Sequence, residues 1–203
     1  MNEAHEFLRE DDVLGPLVEE FGPLGLDPAD DLYRRIVVSI LRQQVSMASA
    51  AATRERLFAA VEPTPEEMLE ADEAVLRDAG LSRQKASYVR NVAEAFIERG
   101  YDREYFAELD DGAVVEELTS IKGVGEWTAN MQLMFSLGRE DVFPVGDLGV
   151  RKGMAALYAD EMSRAEMVEI AERWRPYRSY ASLYLWRANE DVVDAVAEVV
   201  AED

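Results

Sequence analysis

The stretch LTSIKGVGEWTANMQLMFSLGREDVFPVGDLGVRK, residues 118–152, decides the reading of this chain. Val114 to Ser120 ends one helical pattern, and Glu126 to Leu137 forms the next, with Trp127, Met131, Met134 and Phe135 at helical spacing. Gly123 and Gly125 punctuate the junction. Glycine tolerates positive φ and close approach by another backbone, so amide N–H groups can converge on an anion where the second helix starts. Gly125 in particular is expected at positive φ. A nucleic-acid phosphate suits such a cradle, and an ordinary tight connector between helices would carry an isolated Gly-X-Gly equally well.

Gly138 stops the second helix, and residues 139–146 bring the chain back. Twelve helical residues span about 18 Å and eight extended ones reach up to about 28 Å, so Asp147 can return beside the hairpin end. Asp147 is also a good N-cap for a helix from Leu148 to Tyr158. A capping role and a catalytic role for one carboxylate are compatible. Gly149 and Gly153, four apart on that helix, are consistent with close packing of another backbone.

Three further stretches join this one: Ile40-Leu41-Arg42-Gln43-Gln44-Val45-Ser46; Ala79-Gly80-Leu81-Ser82 with Lys85-Ala86; and Trp174-Arg175-Pro176-Tyr177-Arg178-Ser179-Tyr180 through Trp186. Together they resemble the helix-hairpin-helix DNA glycosylase superfamily, most closely its 3-methyladenine DNA glycosylase II branch, over residues 31–190. The resemblance implies an all-α, two-lobed fold of about ten helices with a DNA groove between the lobes. It divides the chain into an N-terminal segment, 1–30, packing on a glycosylase domain, 31–203. It also implies that the hairpin residues Lys122, Gly123, Val124, Gly125 and Thr128 grip a DNA phosphate. Gln43 and Gln44 then form the corner whose side chain enters the duplex, with Gln44 at the wedge position. A polar pair between helices is otherwise a solvated loop; a glutamine wedge can fill the gap left by a flipped base and hydrogen-bond its orphaned partner.

By the same resemblance Asp147 drives cleavage of the base–sugar bond, and Trp127, Trp186, Met131 and Leu148 line the base pocket. Aromatic faces there stack on electron-poor alkylated bases, although either Trp would serve equally as core. Met131 and Leu148 stand where some bacterial members carry tyrosines. Bifunctional relatives carry a lysine two residues after the second hairpin glycine, where this chain has Trp127. The expected activity is therefore monofunctional release of alkylated bases such as 3-methyladenine, leaving an uncut abasic site. The alternatives are a glycosylase for oxidised, deaminated or mismatched bases, and a helix-hairpin-helix protein that binds DNA without catalysis.

Composition narrows the chemistry. The chain has 203 residues, is 48% hydrophobic and can bury a sizeable core. It contains no cysteine, which excludes disulfides, thiolate zinc sites and cysteine-held iron–sulfur clusters. The single histidine, His5, lies in a segment expected to fray, so proton handling falls to carboxylates. No metal ligand set is expected. The resemblance implies no obligatory cofactor, with a monovalent cation at the hairpin as an option. Apolar runs are broken by charge well short of a membrane span, and the acidic N-terminus is unlike a signal peptide. The expected setting is inside the cell, as a monomer acting on double-stranded DNA with damaged bases.

The net charge of −21, from 21 basic and 42 acidic residues, runs against nucleic-acid binding at face value. Its distribution does not: residues 122–187 carry nine basic and nine acidic side chains, and windows 33–54, 82–93 and 174–187 contain Arg or Lys but no acid. Arg42 and Arg178, in two of those windows, are expected to meet phosphates. Only three of the basic residues are lysine. Strong acidity with scarce lysine is expected of a protein in a high-salt cytoplasm, where charge maintains solubility under heavy screening; an acidic surface that recruits partners is the alternative.

The remaining punctuation is helical throughout. Capping positions are expected at Asp30 or Asp31, Ser46, Thr64, Ser82, Asp160 or Ser163, and Ser179, with a last helix from Val192 to Ala201.

Overall fold

A computed structural model describes residues 3–158 and 161–188 of the chain. Among those residues there are thirteen α-helices, one 3-10 turn and no strand, so the all-α expectation holds with more helices than anticipated. Asp160 and the helix expected at Val192 to Ala201 lie outside the described residues. The chain forms two compact units: one joins the segment up to Pro28 to the segment from Gly138 onward, and the other is the contiguous stretch Ala29–Leu137.

The first unit opens with α1 (Glu3–Arg9) and α2 (Gly15–Phe21). The start of the chain is not frayed as the sequence implied. His5 is only 9% exposed, and its Nδ1 lies 3.2 Å from the Tyr184 hydroxyl. That hydroxyl donates to the Gly22 carbonyl at 2.8 Å, so the His5 nitrogen supplies the proton of the shared bond. Asp11 follows α1, with Oδ1 accepting from the amides of Val13 and Leu14 and Oδ2 from the Trp174 indole at 3.1 Å. Trp174 has no exposed surface. Burying a ring of that size removes about 200 Å² from water, worth about 5 kcal/mol, which explains why the start of the chain is held so firmly.

The contiguous unit holds α3 (Leu32–Arg42), α4 (Met47–Ala60), α5 (Pro65–Glu70), α6 (Glu73–Asp78), α7 (Arg83–Arg99), α8 (Arg103–Ala107), α9 (Asp111–Thr119) and α10 (Glu126–Phe135). Capping follows the sequence closely: Asp31, Ser46, Thr64 and Ser82 each accept an amide in the first turn of the next helix. The long α7 packs against α5 and α3 through Ala86, Val89, Val92, Ala93 and Phe96, a buried stripe at helical spacing. The core continues through an edge-to-face chain of Tyr33, Phe96 and Tyr101.

The first unit is completed by α11 (Leu148–Leu157), α12 (Arg164–Ala171), a 3-10 turn (Glu172–Trp174) and α13 (Arg178–Arg187). Ser163 and Glu166 form a reciprocal capping box at α12. At α13 the expected Ser179 cap is not found, since the helix begins one residue earlier, after Tyr177. Ser179 is fully buried instead, its hydroxyl donating to the Arg139 carbonyl at 2.7 Å and accepting from the Val142 amide at 2.9 Å. A residue that looked like a helix signal thus anchors the return segment leading to Asp147.

Candidate active site and nucleic-acid interface

In the contiguous unit, α9 and α10 are joined by a short turn in which the Val124 amide bonds to the Ile121 carbonyl. Gly123 sits at φ +111, and a Cβ there would lie 2.3 Å from Cγ of Tyr88 on α7. Gly125 is different: its φ is −100 and nothing lies within 4 Å of a Cβ built on it. The positive φ expected at Gly125 therefore belongs to Gly123, whose lack of a Cβ lets Tyr88 pack against it. Gly125 takes the N-cap position of α10 without a side-chain cap. Open space at an uncapped helix start is where a phosphate can meet backbone N–H groups.

Two side chains brace this turn from the same unit. Asn91 donates to the Lys122 carbonyl at 2.9 Å, and Gln43 donates to the Gly123 carbonyl at 3.1 Å. Gln43 is thus tied to the hairpin backbone, whereas its neighbour Gln44 is exposed and held at φ +60, a conformation costly for a residue with a Cβ. Val45 beside it is 44% exposed. Within the expected DNA-binding set, Gln44, Lys122 and Gly125 are exposed. Val124 and Thr128 are buried and can present only backbone. Trp127 is half-buried and Met131 is 8% exposed, within the core of this unit.

In the other unit, the return segment is pinned by Ser179 and by Asp141, and a backbone bond from Asp147 N to the Pro144 carbonyl turns the chain into α11. Asp147 caps that helix: Oδ1 accepts the Val150 amide at 2.9 Å and the Trp186 indole N–H at 2.8 Å. Both donors therefore land on one oxygen. Trp186 reaches it because residue 149 is glycine; a Cβ there would lie 2.5 Å from Cδ1 of the indole. Gly153, one turn on, leaves room for the Leu185 carbonyl, which a Cβ would approach to 2.1 Å. Leu148, next to the carboxylate, is 59% exposed, whereas Trp186 is 6% exposed.

The acid-free windows turn out to be occupied largely with internal work. Lys85 donates to the Leu41 carbonyl in the last turn of α3 at 2.5 Å, and burial lowers its pKa. Arg90 donates to Ala71 at the end of α5, and, just outside those windows, Arg56 donates to Ala79 at the end of α6 at 2.9 Å. Each cation satisfies a helix C-terminus, where orphan carbonyls and the macrodipole favour positive charge. Arg178, only 12% exposed, pairs with Asp141 at 2.6 Å and Glu172 at 3.1 Å, and Arg175 pairs with the same two acids. The Arg175 hydrogen bond holds the Glu172 carboxyl below its ordinary range. The expectation that Arg178 meets a phosphate therefore fails: it is committed to the return segment. Arg178→Ala should lower stability by roughly 1 to 2 kcal/mol, because Asp141 loses its largely buried partner and keeps only Arg175. Melting should shift by several degrees, while affinity for undamaged duplex, read by fluorescence anisotropy, stays within about two-fold at fixed salt.

Tyr88 and Asn91, which seat the hairpin, were not singled out by the sequence. Their only signal is position, in the acid-free window 82–93 and three residues apart on one helix face. Among the described residues, no group of three or more His, Asp or Glu side chains could hold a metal ion.

The family model for the HhH-GPD superfamily base excision DNA repair proteins matches residues 37–176. Among solved structures, a 3-methyladenine DNA glycosylase from Schizosaccharomyces pombe in complex with abasic DNA superposes with a TM-score of 0.83 at 30% identity, over 92% of this chain and 96% of that one. A DNA-3-methyladenine glycosidase from Bacillus halodurans gives 0.81 at 34% identity, over 94% and 91%. A Bacillus subtilis protein provisionally named DNA-3-methyladenine glycosylase is 32% identical over 179 residues, 83% of this chain; the chain spans 62% of that relative's length.

Proposed function

The chain belongs to the HhH-GPD superfamily of base excision DNA repair proteins, and from that membership we propose that it is a monofunctional DNA glycosylase releasing alkylated bases such as 3-methyladenine from double-stranded DNA. The observation that carries this reading is the capped, doubly hydrogen-bonded Asp147 carboxylate, found in a chain that superposes on two 3-methyladenine glycosylases over more than nine tenths of its length.

Hydrolysis of an N-glycosidic bond develops positive charge on the sugar, as glycoside hydrolysis does, and a fixed carboxylate near C1′ stabilises that charge. Asp147 serves in this way and orients the attacking water. The leaving base of an alkylated nucleotide already carries positive charge, so no strong general acid is required. Trp127 replaces the lysine that would form a Schiff base, so the abasic strand is left intact. Gln44 enters the duplex where the base is flipped out, and the N–H groups at Gly125 hold a phosphate. If a monovalent cation assists there, the turn carbonyls would hold it; those of Lys122 and Gly123 each accept one side-chain bond and keep a second lone pair. Its contribution would be to help hold the phosphate. The protein acts inside the cell, as a monomer.

Incubation with duplexes carrying methylated, deaminated or oxidised bases, followed by identification of the free base, tests this. Release of 3-methyladenine, with strand scission only after alkali, is the expected result. Release of only a deaminated or oxidised base, or scission without alkali, would replace this reading.

The acidic surplus has a separate consequence. With a net charge of −21, self-repulsion at low salt opposes the compact state. The melting temperature should rise as KCl increases from about 0.1 M to about 1 M, where the screening length falls to about 3 Å. A flat or falling dependence would remove the argument for a high-salt setting.

A further inference from the structure

We infer that Trp186 is a positioning residue for Asp147, its indole N–H fixing the carboxylate plane, and that Gly149 exists to let the ring reach it. The inference rests on the proposed catalytic role of Asp147. A side-chain N-cap held by one amide alone leaves the carboxylate torsion broad, because the last bond of an Asp side chain has only a shallow two-fold preference. In this chain a second donor arrives from 39 positions away. Trp186 Nε1 lies 2.8 Å from the same Oδ1 that accepts the Val150 amide at 2.9 Å. Two donors from different helices, converging on one oxygen, set both the direction and the plane of the group. Each is a charge-assisted bond, stronger than its neutral equivalent.

The packing is built around this contact. At residue 149 any side chain would collide with the indole, 2.5 Å from Cδ1 and 2.9 Å from Nε1. At residue 153 it would collide with the backbone of Leu185, immediately before Trp186. The two glycines lie one turn apart on α11, so the same helix face that ends at Asp147 receives α13. The indole is 6% exposed, little surface for a wall on which a base would stack, whereas the adjacent Leu148 is 59% exposed. Leu148 is the better placed of the two to touch a flipped base, and Trp186 acts through the carboxylate.

The test is a double-mutant cycle on single-turnover base release, using duplex with a methylated base whose uncatalysed loss is slow. Trp186→Phe keeps an aromatic ring and removes the donor. It should reduce the release rate by about 10- to 100-fold, the scale of a small misplacement of a reacting group. Affinity for uncleaved damaged duplex should stay within about three-fold. In an Asp147→Asn background, Trp186→Phe should have no further effect, because its action runs through the carboxylate charge. Gly149→Ala should reproduce the loss by displacing the ring. If Trp186→Phe melts more than about 10 °C below the parent, the comparison is repeated with benzothienylalanine at position 186, which keeps the indole shape and carries sulfur in place of the N–H. A parental rate for the donorless variant, with Asp147→Asn slow, overturns the inference alone. An equal loss in both backgrounds also overturns it and makes Trp186 an independent contact to the substrate. A parental rate for Asp147→Asn removes the catalytic reading itself, and the inference with it.

Discussion

Asp147→Asn should fold and melt like the parent while releasing a damaged base about 10² to 10³ times more slowly. Asparagine caps helices about as well as aspartate, so stability should hold within roughly 1 kcal/mol. The local geometry strengthens this expectation, because the Val150 amide and the Trp186 indole both bond to Oδ1, and a single amide oxygen can take over both. What disappears is the negative charge. Binding to uncleaved damaged duplex should survive, and it should tighten if the carboxylate repels nearby phosphates. Single-turnover release, with thermal melting of both proteins, separates the two roles of the residue. The substrate must lose its base slowly without enzyme, since a labile one would mask the defect. Parental rate in the asparagine variant would make Asp147 a helix cap and nothing more.

The two hairpin glycines should respond to the same substitution for different reasons, Gly123 through stability and Gly125 through binding. Gly123→Ala places a methyl 2.3 Å from the Tyr88 ring at φ +111, a backbone region that residues with a Cβ rarely adopt. Strain of about 1 to 2 kcal/mol and overpacking of about 1 to 3 kcal/mol add to roughly 2 to 5 kcal/mol. That is a large share of a typical domain stability of about 5 to 15 kcal/mol. Melting should fall sharply, and DNA binding with it. Gly125→Ala meets nothing within 4 Å at an ordinary φ of −100, so its stability cost should be about 1 kcal/mol or less, from the weaker N-cap. Its methyl stands at the open start of α10, where it would hold a phosphate off, so duplex affinity should drop in a protein that is still well folded. If Gly125→Ala binds duplex as the parent does, the turn only connects two helices.

Features governed by short-range rules are legible in the sequence alone. The capping side chains of Asp31, Ser46, Thr64, Ser82 and Ser163 act within three residues of themselves, and each was readable from the residue type before a helical pattern. Asp147 as a cap belongs to the same class. What escaped depends on partners distant in sequence. His5 looked frayed because Tyr184, 179 positions away, was invisible as its partner. Ser179 looked like a cap because the carbonyl of Arg139, which it holds, lies 40 positions upstream. Arg178 looked available to phosphate because Asp141 and Glu172 lie outside its acid-free window. The Gly-Val-Gly pattern marks the turn, but that Gly123 is the glycine with no room for a side chain depends on Tyr88, 35 residues earlier. Local chemistry therefore shows where the helices start, and the family resemblance, not local chemistry, points to Asp147 as the carboxylate to test. The division of labour among arginines, glutamines and glycines required tertiary contacts.

One unit of this protein is contiguous, from Ala29 to Leu137, and the other is assembled from both sides of it. During synthesis, then, the hairpin, its Tyr88 and Asn91 braces and the Gln44 corner are all available to fold before the chain carrying Asp147 has been made. Elongation at about 5 to 20 residues per second leaves several seconds between the synthesis of Leu137 and that of Trp186. The opening helices must wait through that interval, with Leu8, Leu14 and Val18 still lacking the surfaces that later bury them completely. Contacts such as His5 to Tyr184 and Asp11 to Trp174 can close only after the 3-10 turn and α13 have been made, so the long sequence separation delays this unit relative to the contiguous one. On the roles proposed above, the nascent protein can thus form its phosphate-binding hairpin before it acquires the carboxylate that would act on the base–sugar bond.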